Sequence, residues 1–235
     1  PSIISVSVET NREECARIME RYNLLTLPVT DEYGRLVGTL KIEDMIFVLQ
    51  EEATEDMYRM VGVDEEEKLL RPIWLSVRGR LPWLFINLIT VGFAGVVIAL
   101  FQSTLSQVLA LAVFIPVIAG QGGIAGTQTL TLVVRSLALG EIRKSDSARL
   151  VVKELCIGLI HGFMLGIVAG IVAYFWHGSE YIGAVVAVAM LGNLIVAGIS
   201  GVSLPLILKA FHIDPALASA VAVTTVTDII GLVLY

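Results

Sequence analysis

After residue 80 the chain contains five apolar stretches, at residues 82–101, 105–139, 150–176, 182–211 and 215–235. Each reaches the roughly 20 residues that a helix needs to cross the hydrocarbon core of a bilayer. Polar connectors separate them: FQSTLSQ, GEIRKSDSAR, HGSEY and FHIDP. A chain with this pattern cannot bury its apolar residues in a water-soluble core. The expected fold is an α-helical membrane protein with five transmembrane helices.

The charge distribution supports this division. Residues 1–80 hold 10 of the 16 Lys and Arg and 16 of the 22 Asp and Glu, so the first third is hydrophilic and acidic and the rest nearly neutral. The acidic balance gives no basic footprint for a nucleic-acid partner. Basic residues Arg71, Arg78 and Arg80 precede the first stretch, Arg143, Lys144 and Arg149 follow the second, and Lys209 closes the fourth. The FQSTLSQ and HGSEY connectors have none. By the positive-inside rule the N-terminal part is expected to be cytoplasmic and, with five spans, the C-terminus outside. The two cysteines, Cys15 and Cys156, are too few for a disulfide framework. A chain that opens Pro-Ser, with no charged and apolar leader, reads as a piece with material missing before Pro1.

Within the first 52 residues, IISVSVE, LTLPVT and LVGTL read as strands, REECARIMERY and KIEDMIFVLQEE as amphipathic helices, and DEYGR as a turn. This β-α-β-β-α unit is small for a core of its own and is expected to pair with a similar unit. Residues 51–75 carry Glu51, Glu52, Glu55, Asp56, Asp64, Glu65, Glu66 and Glu67. Such a run is usually a solvated helix face.

Among the apolar stretches, Glu141, Asp146, Glu154, Glu180 and Asp214 fall in connectors or at helix ends. Asp228, in AVTTVTDIIGLVLY, lies well inside. An ionised carboxylate at that depth costs at least about 2.5 to 3.5 kcal/mol and marks a functional site by default. Thr224, Thr225 and Thr227 add hydroxyls beside it. One carboxylate per chain is a poor cation site, but a two-fold homodimer would bring two together. Two carboxylates and retained waters suit Mg²⁺.

The second and fourth stretches are interrupted by Pro116, GQGGIAG, Gly198, Gly201 and Pro205. Unwinding there would offer backbone carbonyls to an ion, while close helix packing is the other use of such glycines. His161 has no partner at metal-ligand spacing and reads as a hydrogen-bonded packing residue. No catalytic dyad, zinc pattern or phosphate loop is visible, so the chain does not read as an enzyme.

The motifs PVIAGQGGIAGTQTLTLVVRSLALGEI and DPALASAVAVTTVTDIIG resemble the membrane domain of the MgtE magnesium channels. PVTDEYGRLVGTLKIEDM is similar to the second motif of a CBS-domain pair, and EEATEDMYRMVGV to the segment leading into that family's connecting, or plug, helix. The resemblance implies a CBS motif at residues 1–52, an acidic connecting helix at 53–80 and a five-helix pore domain at 81–235. It implies a homodimer in the cell membrane with a central Mg²⁺ pathway into the cytoplasm, closed when cytosolic Mg²⁺ is plentiful. Asp228 matches the family's pore aspartate in TxTD, and the sensing acids fall on Asp44, Glu52, Glu55 and Asp56. Ile124 stands where the family often has Asn. Gly38 and Asp44 fit the CBS ribose-binding pattern, but Lys41 replaces its Thr or Ser, which leaves a nucleotide ligand unassigned. Two other functions fit the same residues: an ion-coupled carrier of Co²⁺ or Mn²⁺, and a membrane-anchored nucleotide sensor without transport.

Overall fold

The computed structural model describes residues 3–64, 67, 69–142 and 144–235, without the side chains of Glu13, Glu52, Ala53, Gln107 and Lys144. Glu65, Glu66 and Arg143 of the charge analysis therefore lie outside the described residues. The chain divides into two compact units, residues 1–58 and 59–235.

The first unit has the expected β-α-β-β-α order: β1 (Val6–Ser7), α1 (Arg12–Arg21), β2 (Thr26–Thr30), β3 (Leu36–Lys41) and α2 (Ile42–Met60), whose last two residues, Arg59 and Met60, belong to the second unit. The first strand is shorter than IISVSVE suggested, because only Val6 and Ser7 pair with β2, in parallel. β2 and β3 pair antiparallel across the DEYGR turn. There the Asp31 carboxylate accepts from the backbone N–H of Tyr33 and Arg35 and from Arg35 Nε at 2.9 Å, and Gly34 takes a φ of 75°. These bonds to the ionised form, led by the Arg35 N–H, hold the Asp31 carboxyl below the usual carboxylate range. Cys15, Ala16 and Met19 form the inner stripe of α1 at helical spacing and pack with Val6, Leu27, Met45 and Val48. Burial, and the charge of Glu14, push the Cys15 thiol upward, as suits a packing cysteine.

The second unit contains α3 (Ile73–Leu100), α4 (Gln102–Gln107), α5 (Leu109–Ala112), α6 (Ile115–Ala138), α7 (Ser147–His177), α8 (Glu180–Ala210) and α9 (Ala220–Leu234). Four segments are long and apolar enough to cross a membrane: Ile73–Leu100, Leu109–Ala138, Ser147–His177 and Glu180–Ala210. The fifth stretch is a 3₁₀ turn at Pro215–Leu217 followed by a 15-residue helix, α9. At about 1.5 Å per residue, α9 is about 22 Å long, short of the roughly 30 Å hydrocarbon core. The first helix starts at Ile73, earlier than residue 82, and carries Pro82 within it. The FQSTLSQ connector is itself helical over Gln102–Gln107.

Of the two uses open to the glycine run, the structure has close packing. GQGGIAG does not unwind: it lies inside the continuous helix α6, and the break in the second stretch falls upstream, at residues 113–114. Pro205 likewise sits within α8. Neighbouring helices explain why the glycines stay helical. A Cβ on Gly126 would lie 2.4 Å from Val223, and one on Gly201 would lie 2.7 Å from the Gly126 carbonyl. Glycine there serves close approach of packed helices rather than exposed backbone.

The same device builds the α7–α8 hairpin. Gly158, Gly162, Gly166 and Gly170 recur every fourth residue, and a Cβ on each would meet α8 backbone at 2.7–2.9 Å. The partners run from Leu194 back to Gly183, so the two helices are antiparallel and in backbone contact over about three turns. By contrast α3 buries only Ala94 among its residues and leaves Leu84, Phe85, Leu88 and Ile89 exposed. An apolar exposed helix of this kind suits contact with lipid or another subunit.

Candidate cation groove

Two helices form an open groove of about 940 Å³ in the second unit. Its α6 wall consists of Ala119, Gly120, Gly123, Ile124, Thr127, Gln128, Thr131 and Leu132. They form two adjacent rows, 119/123/127/131 and 120/124/128/132, each with the four-residue spacing that keeps side chains on one helix face. The α9 wall contributes Thr224 and Asp228, four residues apart and hence one above the other. Asp228 is half-buried there.

The hydroxyl orientations give the groove a sign. Thr127 Oγ1 donates to the Gly123 carbonyl at 2.8 Å, Thr131 Oγ1 to Thr127 O at 2.9 Å, and Thr224 Oγ1 to Val221 O at 3.1 Å. Each proton is spent on the residue's own helix, which leaves oxygen lone pairs as the free hydrogen-bonding capacity. Lone pairs and a carboxylate accept hydrogen bonds from the waters of a hydrated cation. Gln128 adds an amide, with donor and acceptor ends, to this otherwise acceptor-rich set of polar groups.

Of the three threonines beside Asp228, the groove includes only Thr224. Thr227 is fully buried and donates to the Thr224 carbonyl at 3.0 Å, and Thr225 donates to Val221 O at 2.6 Å. Thr127, Gln128 and Thr131 were not singled out from the sequence, although their spacing in TQTLT, continued from Gly123 and Ile124, carried the signal. Ile124 is exposed in the groove wall, an apolar side chain beside the polar ones. His161 is exposed on α7 rather than packed, which corrects the sequence reading.

Asp214 lies at the start of the segment leading into α9. Its Oδ1 accepts from Ala216 N at 2.9 Å, and its Oδ2 forms an ion pair with Arg59. Met60 packs beside it against a cluster of Leu130, Val134, Ala216, Ala218 and Val223. Glu154, in the second turn of α7, accepts from Thr129 Oγ1 of α6 at 2.9 Å. Ahead of α3, Glu67 is buried against Arg80 Nη2 at 2.8 Å and Arg71 Nη1 at 3.7 Å. A hydrogen bond from Ser76, with those two guanidinium groups, holds its carboxyl below the usual range.

The candidate sensing acids belong to α2. Asp44 is exposed in its first turn, Glu55 and Asp56 are partly exposed and already engage neighbours, and the Glu52 side chain lies outside the described residues. No cluster of three or more potential metal ligands occurs among the described residues.

Apolar, membrane-length helices, one of which walls a groove together with the shorter α9 and its Asp228, define the class: a membrane protein with a carboxylate-bearing groove. Family comparison identifies it further. Residues 115–235 match the MgtE family, described as a divalent cation transporter, and residues 1–51 match the CBS domain. The chain belongs to the MgtE family, whose members are transporters and not enzymes. It is 35% identical over 233 residues to the magnesium transporter MgtE of Bacillus subtilis, covering 99% of this chain and 52% of that protein. The Thermus thermophilus protein of the same name is 35% identical over 240 residues, covering 100% and 52%. That of Enterococcus faecalis is 36% identical over 234 residues, covering 99% and 51%. The chain thus spans about half the length of the curated relatives it matches.

Proposed function

We propose that the protein conducts Mg²⁺ across the cell membrane into the cytoplasm, through a pathway formed when two copies bring their Asp228 grooves face to face. The observation that carries this reading is the placement of Asp228 on the wall of an open groove among hydroxyl lone pairs. A carboxylate buried against lipid would be costly, whereas one facing a water-filled path is not. The relatives' shared name supplies the ion. Mg²⁺ sheds water reluctantly, and the wide groove lets it pass with its hydration shell, its charge balanced by two carboxylates.

In this reading α9 is a fifth, pore-lining span. Its short length is tolerable because water reaches it from both ends. The first unit faces the cytoplasm and the C-terminus lies outside. Residues 1–52 act as the CBS motif and 53–80 as the connecting segment, within which α2 ends at Met60 and α3 begins at Ile73. Cytosolic Mg²⁺ bound near Asp44, Glu52, Glu55 and Asp56 would screen repulsion between acidic faces and favour a closed arrangement, a local charge change biasing a two-state element.

The test is Mg²⁺ flux into liposomes containing the purified protein. Asp228→Ala should reduce flux at least tenfold; unchanged flux would remove the groove from the pathway and favour the sensor reading. Flux should persist without a proton or sodium gradient, whereas dependence on either would make the protein a carrier. Neutralising Glu52, Glu55 and Asp56 together should leave maximal flux intact and weaken inhibition by Mg²⁺ on the cytoplasmic face.

A further inference from the structure

Asn193, in the middle of α8, is completely buried although its carboxamide is polar. Its Nδ2 donates to the Ile118 carbonyl of α6 at 2.7 Å, a bond between residues 75 apart in the chain. That bond settles the orientation of the amide, because the flipped group would set oxygen against oxygen. The other end, Oδ1, is buried and has no hydrogen-bond partner among the described residues.

The space around this group is made by glycines on the two helices that form the groove. A Cβ on Gly122 of α6 would lie 2.3 Å from Asn193 Nδ2, and one on Gly231 of α9 would lie 2.7 Å from its Oδ1. Both distances are shorter than any real Cβ contact, so neither position accepts a larger residue while the carboxamide is present. Gly122 is followed by Gly123, a groove residue whose own Cβ position lies 3.1 Å from the Thr224 methyl. Gly231 follows Asp228 by three residues, within one turn of α9. The carboxamide is thus wedged between α6 and α9 directly behind the groove wall that carries the carboxylate.

A leucine has the same branched shape and lacks the unpartnered amide oxygen, although its methyl groups make it the larger side chain. Retaining a polar wedge at a stability cost is the pattern expected of a group that fixes geometry. We infer that Asn193 is a positioning residue for the cation site: hydrogen-bonded to α6 and seated against Gly231, it sets where Asp228 stands relative to the α6 face of the groove. This rests on the transport reading above. Asn193 touches no groove water or ion in this account and acts only through α9.

The experiment measures Mg²⁺ flux into liposomes against external Mg²⁺ for Asn193→Leu, Asn193→Ala, Gly122→Ala, and Gly122→Ala combined with Asn193→Ala. Folding of each is checked by its elution and melting in detergent. Positioning predicts that folded Asn193→Leu raises the half-saturating Mg²⁺ concentration at least fivefold while changing maximal flux less than twofold. Gly122→Ala should show a shift at least as large, and adding Asn193→Ala should relieve the clash but return the protein only to the level of Asn193→Ala alone. An unchanged half-saturating concentration in Asn193→Leu would overturn the inference. So would loss of the folded protein in both Asn193→Leu and Asn193→Ala, which would make the residue a stabilising one. If wild-type flux is absent or indifferent to Asp228→Ala, the transport reading itself falls; flux that depends on Asp228 but ignores Asn193 removes the positioning role alone.

Discussion

Within the second unit Asp214 joins Arg59 to the 3₁₀ turn that precedes α9 through two separable bonds, so substituting it should divide cleanly into two energies. One bond is the local turn contact from Ala216 N to Oδ1, and the other is the ion pair from Arg59 to Oδ2. The side chains of the pair are 29% and 33% exposed, between a solvated surface pair and a buried one. A value of about 1 kcal/mol, the upper part of the surface range, is appropriate. A lost side-chain cap costs about 1 kcal/mol as well. Asp214→Ala should therefore cost about 2 kcal/mol, which lowers the melting temperature in detergent by about 4–8 °C for a unit of this size. Asp214→Asn keeps the turn contact and should cost about half as much. Arg59→Met keeps the aliphatic stem and removes the charge. Combining Arg59→Met with Asp214→Asn should destabilise less than the sum of the single changes, by a coupling of about 0.5–1 kcal/mol. Strict additivity in that double-mutant cycle, or equal losses for Asp214→Ala and Asp214→Asn, would refute the assignment of the two bonds.

Two further outcomes follow from packing and charge. Gly170→Ala would put a Cβ 2.7 Å from the Gly183 carbonyl in the α7–α8 contact and should cost about 1–3 kcal/mol, whereas Gly92→Ala, with open space around it, should be neutral or stabilising; the melting temperatures in detergent compare them. Glu67 has a lowered pKa, so its pairing stabilises the protein above the ordinary glutamate value of about 4.3 and is lost as the pH falls below it. The melting temperature of wild type relative to Glu67→Gln should therefore be constant from pH 7 to 5 and should shrink toward zero under acid conditions. A difference that grows with acidity would contradict the assigned ion pairs.

The apolar stretches and the β-α-β-β-α order were legible because both rest on local periodicity. Asp228 stood out because a carboxylate in an apolar run has no cheap alternative to function. The fate of GQGGIAG was not legible: whether glycines unwind a helix or admit a neighbour depends on what lies opposite, and Val223, Asn193 and Thr224 come from 70 to more than 100 residues downstream. The same long-range dependence hid the role of Asn193, which in sequence was one polar residue in an apolar span. Thr227 shows the limit from the other side, since its neighbour Asp228 faces the groove and a rotation of one residue turns it into the core.

The central claim is that two Asp228 carboxylates share one hydrated divalent ion. A high-resolution structure of the protein in lipid nanodiscs with Mg²⁺ tests it directly. A single density peak is expected on a two-fold axis between the two Asp228 side chains, separated from their oxygens by more than the inner-sphere distance of about 2.1 Å and absent in Asp228→Ala. Grooves that face lipid instead of each other, or paired Asp228 carboxylates with no ion between them at saturating Mg²⁺, would contradict it.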